Sequence, residues 1–274
     1  MDLAGNTIGM PDLTATEAVV NKVVYEQPLN EKVRNFLRLE FLFQLAEHTM
    51  RGNTAWDRRQ TLTSFIDILN LLARGDMRGE MTKELGHYSS QLSSLRNRDD
   101  LDQQRLAATK KRVDESVMRL NAYNGQPGHQ LRDHELIHSI RQRSSITGGT
   151  CAFDIPQLHL WLQQPLEVQL QNLKTWFSTF DVLREGLNLY LEILRDSATA
   201  TQEQSQRGVF HLTFNLQRAP KLVQVFLPDD ADIYPEISGG RHRLSIRFMR
   251  QQDWGMRPAQ VLEDVNFELA CFSF

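Results

Sequence analysis

The segment Ile237–Arg250 reads ISGGRHRLSIRFMR and predicts a β-strand with two different faces. Successive side chains of a strand point to opposite sides of the sheet. From position 243 onward, this alternation places leucine, isoleucine and phenylalanine on one side, and Arg243, Ser245 and Arg247 on the other. One face of the predicted strand is therefore suited to a buried core, and the other face presents arginines.

The positive charge of this region is local. Positions 237 to 257 hold a single acid, Asp253, together with the arginines at positions 241, 243, 247, 250 and 257. The whole chain, in contrast, has a formal net charge of -3. A cationic patch on a weakly acidic protein indicates a partner that carries carboxylates or phosphates.

The type and spacing of the arginines favour carboxylates. Arg243 and Arg247 are four strand positions apart, which separates their Cα atoms by roughly 13 Å. That distance is too long for both to bind one carboxylate, but it suits an extended acidic peptide. The planar fork of arginine also binds carboxylates bidentately, which lysine does not. A solvated strand face, common in antiparallel sheets, explains the same pattern, and the spacing leaves both interpretations open.

Composition restricts the classes of function. A chain of 274 residues with 41% hydrophobic and 24% charged residues is typical of one large or two small soluble domains. Its sequence pI of about 6.3 argues against a generic nucleic-acid binder. No apolar run reaches the roughly 18 residues needed to cross a membrane, and the N-terminus lacks the pattern of a secretory signal. We therefore expect a cytoplasmic protein without membrane insertion.

The period of the apolar residues changes near residue 199 and divides the chain. Residues 30–50 and later stretches up to about residue 198 have the apolar spacing of helices, whereas Phe210, Leu212 and Phe214 alternate as in a strand. The polar stretch ATATQEQSQRG between the two regions predicts a linker. The pattern predicts an α+β protein, with a mainly helical domain followed by a small antiparallel β-sheet domain. We place a flexible N-terminal tail at residues 1–19, the helical domain at 28–200, and the β-strand domain at 20–27 plus 206–274.

One motif suggests zinc chemistry. Residues 134–138 spell HELIH and match HExxH, in which His134 and His138 would share a helix face as zinc ligands while Glu135 acts on a bound water. A catalytic site also needs a third protein ligand. The sequence that follows lacks the histidine that a metzincin places downstream. A zinc-dependent hydrolase is thus the alternative hypothesis, and we expect a chance match and no bound metal.

Four segments spread along the chain are distinctive as a set. They are YEQPLNEKVRNFLRLEFLF at 25–43, IRQRSSITGGTCAFDIPQLHLWL at 140–162, YPEISGGRHRLSIRFM at 234–249 and NFELAC at 266–271. Together they resemble the ZapD family of bacterial cell-division proteins, also called YacF, which bind the tubulin-like GTPase FtsZ. The resemblance covers the chain from about residue 20 to the C-terminus. The first 19 residues and the HExxH motif lie outside the family pattern.

This resemblance implies a non-enzymatic homodimer without a cofactor, located in the cytoplasm at the mid-cell division ring. A basic cleft would accept the C-terminal tail of FtsZ, a short acidic and apolar segment on a flexible linker. By resemblance the cleft residues are Arg243, Arg247 and Arg74, the last of which precedes a glycine in LLARGDMRGE. A dimer that holds two tails would cross-link FtsZ protofilaments into bundles and stabilise the ring. For Arg74 alone, capping a helix C-terminus is a simpler role, because a cation is favoured there.

Overall fold

The computed structural model describes residues 21–95, 102–215 and 219–273. The helices described are α1 Glu31–Arg51, α2 Ala55–Leu72, α3 Met77–Ser94, α4 Gln103–Ala122, α5 His129–Arg132, α6 Glu135–Arg143, α7 Pro156–Leu162, α8 Leu166–Ser178 and α9 Asp181–Arg195. The strands are β1 Lys22–Pro28, β2 Thr201–Gln204, β3 Val209–Thr213, β4 Leu222–Pro228, β5 Ile233–Gly239, β6 Arg243–Arg250, β7 Ala259–Gln260 and β8 Asn266–Phe272. The α+β class is thereby confirmed. The predicted tail at residues 1–19 lies outside the described residues, and the division into two domains stays a prediction.

The first two helices begin where the sequence offers capping side chains. The Asn30 side chain accepts a hydrogen bond from the Val33 backbone N–H at 2.9 Å, which satisfies one of the free N–H groups at the start of α1. At α2, Thr54 and Asp57 form a reciprocal capping box. These caps fix the starts of α1 and α2, which pack side by side through the helical core.

The strands form two antiparallel sheets. One, the central sheet, has the strand order β1-β4-β8-β2, and the other, the outer sheet, has the order β3-β6-β5 with β7 also paired to β6. Alternate residues of β4 enter different cores: Val223 and Val225 pack with residues of β6, whereas Leu222 packs with the helices. The central sheet is therefore covered by helices on one face and by the outer sheet on the other.

The opening segment of the sequence forms a hairpin and not one strand. Its first residues end β5, the Gly240 N–H donates to the Arg243 carbonyl at 3.0 Å, and β6 starts at Arg243. A Cβ on Gly239 would lie 2.9 Å from Leu29 Cδ2, so only glycine fits there without a shift of its neighbours. The sequence patterns did not indicate β5, since Pro235 interrupts it, and proline is found on edge strands because it lacks an N–H.

The prediction of a linker between the helices and the strands was also partly wrong. Its residues Thr201–Gln204 form β2, the edge strand that pairs with β8 in the central sheet. Three of its four residues are exposed, so the apolar alternation that marks a half-buried strand is missing.

A cluster of ion pairs joins the helices to the central sheet. The Arg195 guanidinium at the end of α9 donates to both carboxylate oxygens of Glu26 at 2.9 Å and to both of Glu40 at 2.7 Å. Gln224 on β4 also donates to Glu26 at 2.5 Å. Burial alone would raise the pKa of Glu26, but the hydrogen bonds from Arg195 and Gln224 outweigh it and lower that pKa. The cluster therefore ties α1 and α9 to β1 and β4.

A second carboxylate makes a similar connection. Glu84 on α3 accepts hydrogen bonds from Lys32 on α1 and Lys221 beside β4, both at 2.7 Å. Burial opposes the charged form, yet the two lysines lower the pKa of Glu84 below its usual value. The charged form of this side chain is thus favoured by the fold.

Replacing Arg195 with methionine should destabilise the protein strongly, because Glu26 and Glu40 would be left half-buried without their cation. We expect the free energy of unfolding to fall by about 2 to 3 kcal/mol in urea titrations. The matched control is Arg112→Met, which removes an exposed bidentate pair with Glu192 and should cost less than about 1 kcal/mol. Equal losses in the two variants would contradict the proposed difference.

Acid should remove part of the stability through Glu84. Its folded-state pKa lies below the ordinary value of 4.5, so its contribution is present above that pH and is lost as the pH falls through the lower folded value. Wild type should therefore lose more unfolding free energy than Glu84→Gln as the pH falls below the ordinary value of 4.5. Equal losses of unfolding free energy in the two proteins, measured by urea titration at each pH, would contradict this role of Glu84.

Candidate functional site

Of the three arginines of β6, Arg243 and Arg247 stand on the solvent side of the outer sheet, as the alternation predicted. Arg243 and Arg247 are exposed, whereas Leu244, Ile246 and Phe248 between and after them are buried against the central sheet. The buried residues hold the strand in place by packing, since each removes apolar surface from water. The same strand thus anchors the sheet and presents both arginines.

Two shallow depressions run along this face and share walls. The first, of about 470 Å³, is lined by His211, Ser238, Gly239, Gly240, Arg241, His242, Arg243 and Ser245. The second, of about 380 Å³, is lined by Val209, Glu236, Ile237, Ser238, Ser245, Arg247 and Gln260. Because Ser238 and Ser245 belong to both, we treat the two as one arginine trough, with Arg243 at one end and Arg247 at the other.

Arg243 and Arg247, at the two ends of the trough, differ in their partners. Arg247 donates from Nη2 to Glu236 Oε2 at 2.9 Å, and both side chains are about half exposed (55% and 44%). Arg243 makes no ion pair with an acid among the described residues. Arg243 is therefore available to an anion, whereas Arg247 already holds a carboxylate of its own chain.

Arg74 lies in a different depression. It is exposed just beyond the end of α2, where it borders a cleft of about 520 Å³ between α1 and α2. The described lining of this cleft is Pro28, Arg34, Leu37, Arg38, Phe41, Leu42, Asp67, Asn70, Leu71 and Arg74, and it includes neither arginine of the trough. Burial raises the pKa of Asp67 in this cleft. A single cleft formed by all three predicted arginines stays a prediction.

The turn after β1 separates the cleft from the trough. Pro28 lines the cleft, and the next residue, Leu29, packs in the same buried cluster as Leu244 and approaches Gly239 in the trough wall. Leu29 meets Gly239 on the buried side of the outer sheet, whereas the trough lies on the solvent side of that sheet.

The sequence patterns missed several residues of the trough. Glu236 stands in the quoted segment YPEISGGRHRLSIRFM, but its pairing with Arg247 depends on the register of β5 against β6. His211 is brought beside Ser245 by the pairing of β3 with β6. The register of β5 follows from the hairpin turn at residues 240–242, which the sequence pattern placed within one strand. The register of β3 depends on pairing between strands that are distant in the chain.

The HExxH residues do not occupy one helix face. His134 precedes α6 as its N-cap and is half-buried, with its ring 4.9 Å from that of Trp176 in an edge contact. His138 is exposed and lies 2.7 Å from Gln142 through its Nε2. The expected continuous helix is broken at Asp133 and His134, between α5 and α6. The two imidazoles thus have different surroundings, and no third residue of the types His, Cys, Asp and Glu joins them among the described residues.

Two other kinds of site are absent from residues 21–95, 102–215 and 219–273. In these ranges no three residues of the types His, Cys, Asp and Glu come together as a group that could hold a metal ion. Nor does any helix there combine the length and apolar character needed to cross a membrane.

Comparison with known proteins gives a consistent result. The model of the ZapD family, described as a cell division protein, matches residues 37–247. A protein of Methylococcus capsulatus named Cell division protein ZapD is 37% identical over 249 residues, which cover 91% of this chain and 97% of that protein. Proteins of the same name from Klebsiella pneumoniae and Aromatoleum aromaticum are 35% and 32% identical, over 91% and 90% of this chain and 98% and 96% of their own lengths.

Zinc should neither bind to nor stabilise this protein through the HExxH residues. A site saturated at 100 times its dissociation constant would add about 2.7 kcal/mol to the unfolding free energy, so an absent site should leave Tm unchanged on adding Zn²⁺. His134→Ala should lower stability by about 1 kcal/mol with or without zinc, through its lost contact with Trp176. A zinc-dependent rise in Tm that disappears in His134→Ala would restore the metal hypothesis.

Proposed function

Because the chain belongs to the ZapD family of cell division proteins, we propose that it binds the C-terminal tail of FtsZ through the arginine trough. Its role is in cell division, and the tail is the acidic and apolar segment that the family resemblance implies as the ligand. The observation that carries the proposal is the exposure of Arg243 and Arg247 on one face of a strand whose other face is buried.

The chemistry of the trough suits an extended acidic peptide. Arg243 and Arg247 are separated by four positions along one strand, so carboxylates spaced along a peptide can each meet a guanidinium. Serines at positions 238 and 245 line the floor between them and offer hydroxyl donors and acceptors. The trough is shallow and open, as a site for a chain segment should be.

The cleft beside Arg74 supports a longer binding path. Its lining combines three arginines with apolar side chains such as Leu37 and Phe41, and Phe41 is 63% exposed. An acidic and apolar tail that reached the cleft as well as the trough would meet both kinds of surface. In this proposal Arg74 binds a further acidic group of the tail, and the apolar side chains of the tail lie against the cleft.

Bundling requires two such sites in one assembly. We infer a homodimer that holds two tails and cross-links neighbouring FtsZ protofilaments. The first bound tail raises the effective concentration of the second filament, so two weak sites give a strong link without new contacts. The protein would then act at the mid-cell division ring in the cytoplasm as a binding factor, with no catalytic step and no cofactor.

Reversing both trough charges should abolish tail binding. We expect Arg243→Glu with Arg247→Glu to weaken binding of a fluorescein-labelled FtsZ tail peptide at least about tenfold in anisotropy titrations, because charge-assisted hydrogen bonds become repulsion. Wild-type binding should also weaken as salt is raised, since exposed charges are screened. Sedimentation of FtsZ polymers should show loss of bundles in parallel.

The control is Lys83→Glu with Lys174→Glu, which changes the net charge equally at exposed positions on α3 and α8. This variant should bind the peptide nearly as wild type does. Circular dichroism should first establish that both double variants are folded. Unchanged peptide affinity in a folded Arg243→Glu, Arg247→Glu variant would eliminate the trough as the binding site.

A further inference from the structure

The two ends of the arginine trough differ in charge. The described residues around Arg243 include Arg241, His242 and His211, and no acid is among them. Around Arg247 the lining includes one acid, Glu236. An acidic peptide entering the trough therefore meets an uncompensated cation at one end and an occupied one at the other.

The position of Glu236 is fixed by the pairing of β5 with β6. Glu236 and Arg247 lie directly opposite each other in the antiparallel register, and such partners have Cβ atoms about 5 Å apart. The hydrogen bond from Arg247 Nη2 to Glu236 Oε2, at 2.9 Å, follows from this placement. The backbone thus places a carboxylate directly opposite Arg247.

A carboxylate of a bound peptide needs the same guanidinium. If it displaces Glu236, the displaced carboxylate remains one strand away and repels the incoming charge. If it does not, the peptide must share Arg247 with an acid that already uses one of its donors. The pair is about half exposed on both sides, so it is weak enough to be displaced.

We propose that Glu236 is a built-in competitor for the carboxylates of the peptide that binds the arginine trough, and that it limits the affinity contributed by Arg247. The proposal rests on the function proposed above and adds a residue that sets the strength of that same site. Arg243 then provides the first contact, and Arg247 contributes fully only when Glu236 is displaced.

Glu236→Gln tests this most simply, because glutamine keeps the size of the side chain and removes its charge. The variant should bind the labelled FtsZ tail peptide about two- to fivefold more tightly than wild type, the range expected for release of an exposed ion pair. In an Arg247→Ala background the same substitution should have no effect beyond that of the control. This dependence on Arg247 is the readout that a general change of charge would not give.

The matched control is Glu263→Gln. Glu263 pairs with Arg250 at 2.6 Å, so the substitution also removes one charge and one ion pair of a β6 arginine, which keeps its second partner Asp232 at 3.0 Å. Arg250 is three positions from Arg247, and its side chain therefore leaves the strand on the opposite side. Long-range electrostatics alone would make the two variants equal.

The outcomes separate this inference from the proposed function. Tighter binding by Glu236→Gln than by Glu263→Gln, abolished with Arg247→Ala, supports competition. Equal affinities of the two glutamine variants would overturn the role of Glu236, even if Arg243→Glu with Arg247→Glu still abolishes binding. Normal binding by that double variant would instead remove the proposed function and this inference together.

Discussion

The helices and the outer sheet both pack on the central sheet, and the ion pairs of Arg195 connect the helices to it. The Arg195 guanidinium lies between Glu26 of β1 and Glu40 of α1, and four hydrogen bonds of 2.7 to 2.9 Å fix the helices against the sheet. Glu26 and Glu40 are both largely withdrawn from water, so each carboxylate needs a cation to offset its lost hydration. Arg195 supplies that cation. With the central sheet held this way, the outer sheet can cover its other face.

That arrangement explains why the arginines are exposed. The outer sheet has only one core to fill, and β6 supplies it through Leu244, Ile246 and Phe248. Its other face is not covered by another layer of the described structure, so it can hold Arg243 and Arg247 without a desolvation cost. The exposed face of the outer sheet also tolerates Glu236, which stands on β5 beside β6. The proposed binding and its proposed restraint therefore both derive from a sheet with one solvent-exposed face.

The sequence predicted what depends on local pattern. The helical spacing of residues 30–50 and the alternation along β6 are local, and both are found in the structure. β5 was missed because Pro235 and its mixed polarity hide the period of a strand, and β2 because its exposed edge position needs no apolar residues. The pairing of Glu236 with Arg247 depends on register between strands, and the separate cleft of Arg74 depends on how α1 and α2 pack. These are tertiary facts, which one sequence does not specify.

A crystal structure of the protein with an FtsZ tail peptide would locate the bound tail. We expect an extended peptide along β6, with one carboxylate near Arg243, another within hydrogen-bond distance of Arg247, and Glu236 turned away from that guanidinium. A peptide bound elsewhere, with the Arg247–Glu236 pair intact and the trough empty, would contradict this expectation.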